Sequence, residues 1–257
     1  MPAPNLRPLV VDLDGTLCRT DTLWETFFAA WRRCWWLPLA VPLWLLRGRS
    51  AFKRRLASVA LPDIASLPWN SAVTDALRDA RAAGRTTVLA TAADDRVAQA
   101  CAAELGLFDR VIASDGIRNL KAHTKAEQLV PLFGEQGFDY IGDSRADLAV
   151  WPHAAQRFTV SSLLPAGGQR LPGTPAAGGV GRWLKLLRVR HWVKNVLVFV
   201  APLAAHQWAV AASWHATLLT FAAFCAVCSS IYVVNDLFDL ASDRAHPSKR
   251  RRPLAAG

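Results

Sequence analysis

The chain has 257 residues, enough for one large or two modest domains, and its 30 Lys and Arg against 20 Asp and Glu leave a formal net charge of +10. Such a balance suits nucleic acid or a membrane surface, but no basic stripe with interleaved aromatics lies on a soluble helix, which excludes nucleic acid as the expected partner. The basic residues border apolar runs instead, in "AWRRCWWLPLAVPLWLLRGRSAFKRR", "RVRHWVKNVLVFV" and "HPSKRRRP". Most of the eleven tryptophans lie in or beside those runs, as at a bilayer interface. The five cysteines form no framework spacing, which points to reduced thiols. The opening "MPAPNLRPLVVDLDGTL" lacks the pattern of a secretory signal, so the first part of the chain is expected in the cytoplasm.

From residue 8 to about 160, short apolar runs alternate with helical patterns, the signature of βαβ units in a parallel sheet. "PLVVDLD", "TTVLATA", "RVIAS", "FDYIGDS" and "RFTVS" read as strands. "SAVTDALRDARAAG", "DDRVAQACAAELG" and "HTKAEQLVPLFGE" read as the helices between them. The pattern predicts a doubly wound, Rossmann-like α/β domain over residues 1–165. An insert over residues 22–67 delays the second strand; its run "WWLPLAVPLWLL" is too short and proline-broken to span a bilayer. A small helical cap, lying on the membrane surface or packing on the domain, is expected there. Residues 166–182, rich in Gly and Pro, read as a linker.

"VVDLDGT" places Asp12 and Asp14 where the first strand ends, the edge at which open α/β sheets bind ligands. Two such carboxylates can divide the work of nucleophile and general acid-base. Thr91, read as the end of the second strand, offers a hydroxyl to a phosphate oxygen, and Lys125 at a helix start offers a cation. Asp143 and Asp147 in "GDSRAD" can complete an oxygen-rich magnesium shell. With these four motifs in order, the region resembles the haloacid dehalogenase superfamily, in its phosphatase-like branch with a cap after the first strand. The resemblance implies Asp12 as the nucleophile of an aspartyl-phosphate, Asp14 as acid-base, and Asp12, Asp14 through its carbonyl, and Asp143 as Mg2+ ligands. It also implies a phosphorylated small molecule as substrate. Lys121 competes for the lysine's role, and Lys125 is preferred for its place at the helix start.

Beyond the linker, "LLRVRHWVKNVLVFVAPLAA" and "TLLTFAAFCAVCSSIYVV" are predicted to be two transmembrane helices, with the bordering Lys and Arg placing both ends in the cytoplasm. "NDLFDLASDR" then sets Asp236, Asp239 and Asp243 at spacings of three and four, which a continuing helix would gather on one face with Asn235 as a further oxygen ligand. Together with "LRVRHWVKN" and "DRAHPSKRRRP", this region resembles the UbiA superfamily of intramembrane prenyltransferases, most closely the branch that transfers a phosphoribosyl group to a polyprenyl phosphate. The resemblance implies Asn235, Asp236, Asp239 and Asp243 as ligands for magnesium and a donor diphosphate. Lys194, Arg244, Lys249 and Arg252 become phosphate contacts, and a polyprenyl lipid or prenyl diphosphate becomes the substrate. Residues 183–257 match only the first part of such an all-α bundle, so a front portion of a longer enzyme is expected. The combined expectation is a multi-pass protein of the cell (inner) membrane whose phosphatase domain is cytoplasmic and touches membrane lipid. The alternatives are a phosphomonoesterase as the only active part, or a non-catalytic docking module on an anchor.

Overall fold

A computed structural model describes residues 6–174 and 179–257. They fall into two units, one over the first range and one over the second up to Ala256. The first unit is built on a six-stranded sheet with every neighbouring pair parallel. Its strands are β1 (Leu9–Val11), β2 (Thr87–Asp94), β3 (Arg110–Ser114), β4 (Asp139–Gly142), β5 (Arg157–Thr159) and β6 (Gln169–Arg170), in the spatial order β3-β2-β1-β4-β5-β6. The order reverses direction at β1, so the gap between β1 and β4 is the switch point where such sheets hold ligands.

Burial on both faces explains why these strands read as continuous apolar runs. Leu9 and Val11 join one core with Leu89 and Ile141, whereas Val10 joins the opposite core with Val88, Ala90 and Tyr140. The register Val10↔Val88 and Val10↔Tyr140 keeps those residues on one face. Helices α4 (Ser71–Ala82) and α5 (Asp95–Leu105) close the first core through Val73, Leu77, Val97 and Cys101. Helix α6 (His123–Phe133) and Trp151 close the second.

The insert is helical, with α1 (Thr22–Arg33), α2 (Leu37–Leu45) and α3 (Arg49–Val59). It has its own small core of Ala30, Leu37, Phe52, Leu56 and Ala60. Two boundaries differ from the sequence reading. The sheet continues past residue 165, because Gln169 and Arg170, assigned above to the linker, pair with Phe158 and Thr159. Strand β2 runs on to Asp94 rather than ending at Thr91, since its pairing with β3 breaks after Ala90 and resumes at Asp94. Residues 175–178 of the expected linker lie outside the described residues.

In the second unit, Ala211–Phe238 forms a 28-residue helix with a mean hydropathy of 2.0 in its most apolar stretch. Among the described residues this is the one helix long and apolar enough to cross a membrane. The expected first span is not one continuous α-helix. After α7 (Val180–Leu186), whose last residue opens the expected span, it consists of a 3-10 segment (Val189–Phe199) followed by α8 (Val200–Ala204). Arg188 takes a left-handed conformation with φ 50°, which ends α7. Pro202, which lacks an N–H, sits inside the five residues of α8, and His206 at φ 53° ends that stretch. The long helix is α9, and after Asp239 the short α10 (Leu240–Ala245) follows.

Leu77 is fully buried in the first core, whereas Leu39 on α2 is 78% exposed. Leu77→Ala is expected to cost about 2–5 kcal/mol and Leu39→Ala less than about 0.5 kcal/mol. Urea titration of the full chain in mild detergent, followed through the circular dichroism of the α/β unit, separates the two.

Candidate active site

Asp12 leaves the C-terminal end of β1 and Asp143 the end of the neighbouring β4, so the sheet itself sets two carboxylates side by side. Asp147 arrives from a 3-10 turn (Arg145–Ala149), where it forms a capping box with Ser144. One carboxylate oxygen from each of Asp12, Asp143 and Asp147 lies within 4.8 Å of the others. Lys125, on the first turn of α6, places Nζ 2.7 Å from Asp12 Oδ1 and 3.6 Å from Asp147 Oδ1. It also donates to the Tyr140 hydroxyl at 2.9 Å, and that hydroxyl donates to Asp147 Oδ1 at 2.6 Å. Asp12, Lys125, Tyr140 and Asp147 are buried, and Asp143 and Ser144 are half-buried.

The turn after Asp14 requires glycine. Gly15 has φ +78°, and a Cβ there would fall 2.3 Å from Asp143 Oδ2. The backbone thus makes room for a carboxylate that Thr16 Oγ1 steadies with a 3.2 Å hydrogen bond. Asp14 turns its side chain elsewhere: its Oδ1 accepts both the N–H and the hydroxyl of Thr22, each at 2.7 Å, where α1 begins. Asp14 is therefore outside the three-carboxylate cluster and tied to the cap.

The electrostatics follow from four acids sharing one buried cation. Burial foremost, and then Asp147 and Asp14, pushes the Asp12 carboxyl up to about 8 despite Lys125 beside it. Burial and Asp147 raise Asp143 to about 6. Burial alone would lower Lys125, but Asp12 and Asp147 outweigh it and hold the ammonium charged. Asp147 stays below the usual range because Lys125, Tyr140 and Ser144 together overcome its burial. One lysine does not balance this much carboxylate. An all-oxygen donor set drawn from Asp12, Asp143 and Asp147 fits a hard divalent cation such as magnesium, with room left for water or substrate oxygens.

A cavity of about 480 Å3 opens on the cluster, lined by Asp12, Asp14, Lys125, Asp143, Ser144 and Asp147 and walled on the cap side by Leu45, Arg49, Phe52 and Lys53. Thr91 is not part of the lining. It is fully buried at the break in the β2–β3 pairing, beside Ala92 and Ala93 of the wall, and its hydroxyl accepts the Ala93 N–H at 2.9 Å. Lys121 lines the cavity without joining the buried cluster. Sequence reasoning missed Lys53, whose Nζ reaches Ala92 O at 2.6 Å and Asn119 Oδ1 at 3.2 Å from the cap helix α3. It also missed Tyr140, Thr16 and Thr22. Lys53 opens the basic run "KRRL", which belongs to no motif and gave no signal for it.

The second unit gathers only part of its expected set. Asp236 Oδ1 accepts Arg188 Nη2 at 2.7 Å and Arg252 Nη1 at 3.1 Å, and Asp243 Oδ2 accepts the same Arg252 Nη1 at 2.7 Å. Lys249 Nζ lies 3.7 Å from Asp243 Oδ1. Asn235 and Asp239 are exposed and stand apart, because α9 ends at Phe238 and Asp239 is the break before α10 rather than part of a continuing helix. Arg244 donates to the Ala255 carbonyl, and Lys194 is exposed on the 3-10 segment. Arg188, absent from the expected set, also lies over the Tyr232 ring at 4.6 Å. Arg188, Asp236 and Arg252 line a cavity of about 530 Å3 together with Lys185, Arg190 and His191.

The fold and the first cluster define a carboxylate-centred site at the ligand edge of a doubly wound parallel sheet. The haloacid dehalogenase-like hydrolase family matches residues 9–151, and the chain belongs to it. An uncharacterized protein of Sinorhizobium fredii is 41% identical over 262 residues, covering 97% of this chain and 50% of its own length. The decaprenyl-phosphate phosphoribosyltransferase of Mycolicibacterium smegmatis is 44% identical over 89 residues, which are 32% of this chain and 27% of that enzyme. The chain thus spans half, or less, of the curated relatives it matches. Among solved structures, a probable phosphoserine phosphatase from Vibrio cholerae has a TM-score of 0.44 at 16% identity, over 60% of this chain and 56% of its own.

Gly15→Ala is expected to push Asp143 out of the cluster and to weaken magnesium binding about tenfold, the scale of lost support around a metal ligand. Isothermal titration calorimetry measures the change, and an unaltered far-UV circular dichroism spectrum shows that the fold is kept.

Proposed function

We propose that the first unit is a magnesium-dependent phosphomonoesterase, and that the cation is held by Asp12, Asp143 and the Asp14 carbonyl, with Asp147 beside them. The observation that carries this reading is the Lys125 ammonium, buried 2.7 Å from Asp12 Oδ1 inside a ring of carboxylates. A bound cation would offset the charge shared by the phosphate oxygens and the carboxylates. An Asp12 oxygen attacks phosphorus and the bond from phosphorus to the ester oxygen breaks. Asp14 gives that leaving oxygen its proton. Water then attacks the aspartyl-phosphate with Asp14 taking the proton, which releases phosphate and restores Asp12. Lys125 keeps the Asp12 carboxylate oriented and meets the incoming charge. Thr91 does not line the cavity, so in this scheme its hydroxyl holds the Ala92–Ala93 wall in place through the Ala93 N–H rather than touching the phosphate.

Asp12→Asn removes the nucleophile while keeping the shape of the side chain. The full chain carrying it is expected to lose at least about a thousandfold of its magnesium-dependent hydrolysis of p-nitrophenyl phosphate. A rate within about threefold of the parent would overturn the reading.

A second reading concerns residues 183–257, which we read as the opening of an intramembrane transferase that moves a prenyl or phosphoribosyl group from a diphosphate donor to or from a polyprenyl lipid. It is supported by the pairing of Asp236 and Asp243 through Arg252, and by the partial identity to decaprenyl-phosphate phosphoribosyltransferases. Asn235, Asp236, Asp239 and Asp243 take the magnesium diphosphate once it displaces Arg188 and Arg252 onto its own oxygens, with Lys194, Arg244 and Lys249 as further contacts. Here the segment from Val189 to Ala204 joins α9 as a membrane hairpin, in a multi-pass protein whose α/β unit is cytoplasmic. In the complete reading frame, Asp236→Asn is expected to lower transfer to a polyprenyl phosphate or an aromatic acceptor about a hundredfold or more, measured with radiolabelled diphosphate donors. It should leave p-nitrophenyl phosphate hydrolysis unchanged.

A further inference from the structure

Helix α2 is apolar on both sides, and only one side is packed. Leu37 is buried, and Val41 and Trp44 pack with it on the cap's own core. The opposite face, at spacings of four, four and three, presents Trp35, Leu39, Leu43 and Leu46, exposed by 80%, 78%, 66% and 83%. A helix apolar all round belongs in an apolar medium, and large exposed apolar patches mark interaction surfaces. The charge around it is one-sided: residues 22–67 contain seven Lys or Arg and two acids, Glu25 and Asp63. Of the two, Glu25 is buried. Exposed arginines stand at both ends of the apolar stretch, Arg32 and Arg33 before it and Arg47 and Arg49 after it. A nine-residue helix is too short to span a bilayer. Apolar residues on one face, arginines at the ends and tryptophans at the entry are the pattern of a helix lying in the headgroup plane of an anionic membrane.

The same helix forms the rim of the cavity. Leu45 at its last turn lines the 480 Å3 space, followed by Arg49, Phe52 and Lys53 of α3. A lipid held at the depth of Leu43 and Leu46 would therefore lie beside the cavity that Leu45 shares with the carboxylate cluster, with Arg19, Arg49, Lys53 and Lys121 among its lining. Those cations exceed what a single phosphate needs beyond Lys125, and they suit an anionic headgroup with more than one charged oxygen cluster.

We infer that the outer face of α2 docks on the surface of an anionic bilayer and that the substrate is a phosphomonoester carried on a lipid. The substrate class rests on the phosphomonoesterase reading above, whereas the docking does not. The test uses the full chain reconstituted in vesicles of phosphatidylcholine alone or mixed with phosphatidylglycerol, read by amide hydrogen exchange over residues 35–47. Exchange there is expected to be about tenfold slower in the anionic vesicles. The combined variant Trp35→Ser, Leu39→Ser, Leu43→Ser and Leu46→Ser should abolish that difference. It should keep the parent rate on p-nitrophenyl phosphate in both vesicles and lose about tenfold on phosphatidic acid in the anionic ones.

Equal exchange in both vesicles, with slow exchange that instead depends on protein density, would overturn the docking in favour of a second copy of the chain on this face. Slow exchange in anionic vesicles with a variant as active on phosphatidic acid as the parent would overturn the lipid substrate and leave the docking. Loss of all hydrolysis in the parent would sink the phosphomonoesterase reading, and the exchange measurement would still decide the docking.

Discussion

Everything at the ligand edge of the sheet depends on one buried contact, between the ammonium of Lys125 and the carboxylate of Asp12, brought together from positions 113 residues apart in the chain. Neither group could be buried alone, because an unpaired interior charge costs several kcal/mol and breaking such a pair by removing one partner costs about 3–5 kcal/mol. The contact constrains helix α6 against β1 and, through Tyr140 and Asp147, against β4 and the turn that follows it. The three elements that carry the charged groups are thereby locked into one arrangement before any ligand arrives. Such preorganisation is what electrostatic stabilisation of a transferring group requires.

The cap meets this rigid edge with softer means. It has its own core, and its hydrogen bonds to the α/β unit are concentrated at a few points: Thr22 to Asp14, Ser50 to the Arg118 carbonyl, Lys53 to Ala92 and Asn119, and Arg54 to the Asp115 carbonyl. Most of these lie around the cavity mouth. The carboxylate cluster is thus set by the sheet and the turns after its strands, while the insert supplies one wall of the cavity.

The strand pattern was legible because short β-branched and apolar runs between turn residues admit few other readings, and the positions of Asp12, Asp143 and Lys125 followed from where those runs end. What escaped was local backbone detail and long-range pairing. The extension of β2 past Thr91 depends on an irregular register with β3, which leaves no compositional trace. The first apolar segment of the second unit has the hydropathy of a spanning helix, but hydropathy averages over residues and does not register a left-handed turn at Arg188. The three aspartates near residue 240 were placed on one face by assuming a continuous helix. The chain breaks at the middle one, and Arg188 and Arg252 take the carboxylates on either side. Lys53 and Tyr140 could not be read at all, since their importance comes from partners that the fold brings near, Ala92 and Asn119 at 39 and 66 residues from Lys53, and Lys125 and Asp147 at 15 and 7 residues from Tyr140.

The place of the insert has a consequence for how such a chain can diversify. A one-residue slip in β1 would exchange Leu9 and Val11 for Val10 between the two cores and swing Asp12 to the wrong face, so insertions within the strand are forbidden by geometry. Residues 22–67 leave and re-enter outside that register, so beyond Thr22, which holds the Asp14 carboxylate, their length and composition can vary without shifting the strands that carry Asp12 and Asp143. The wall that faces an incoming ligand can therefore be exchanged while the carboxylate cluster stays in place, as a tool bit is changed without rebuilding the chuck.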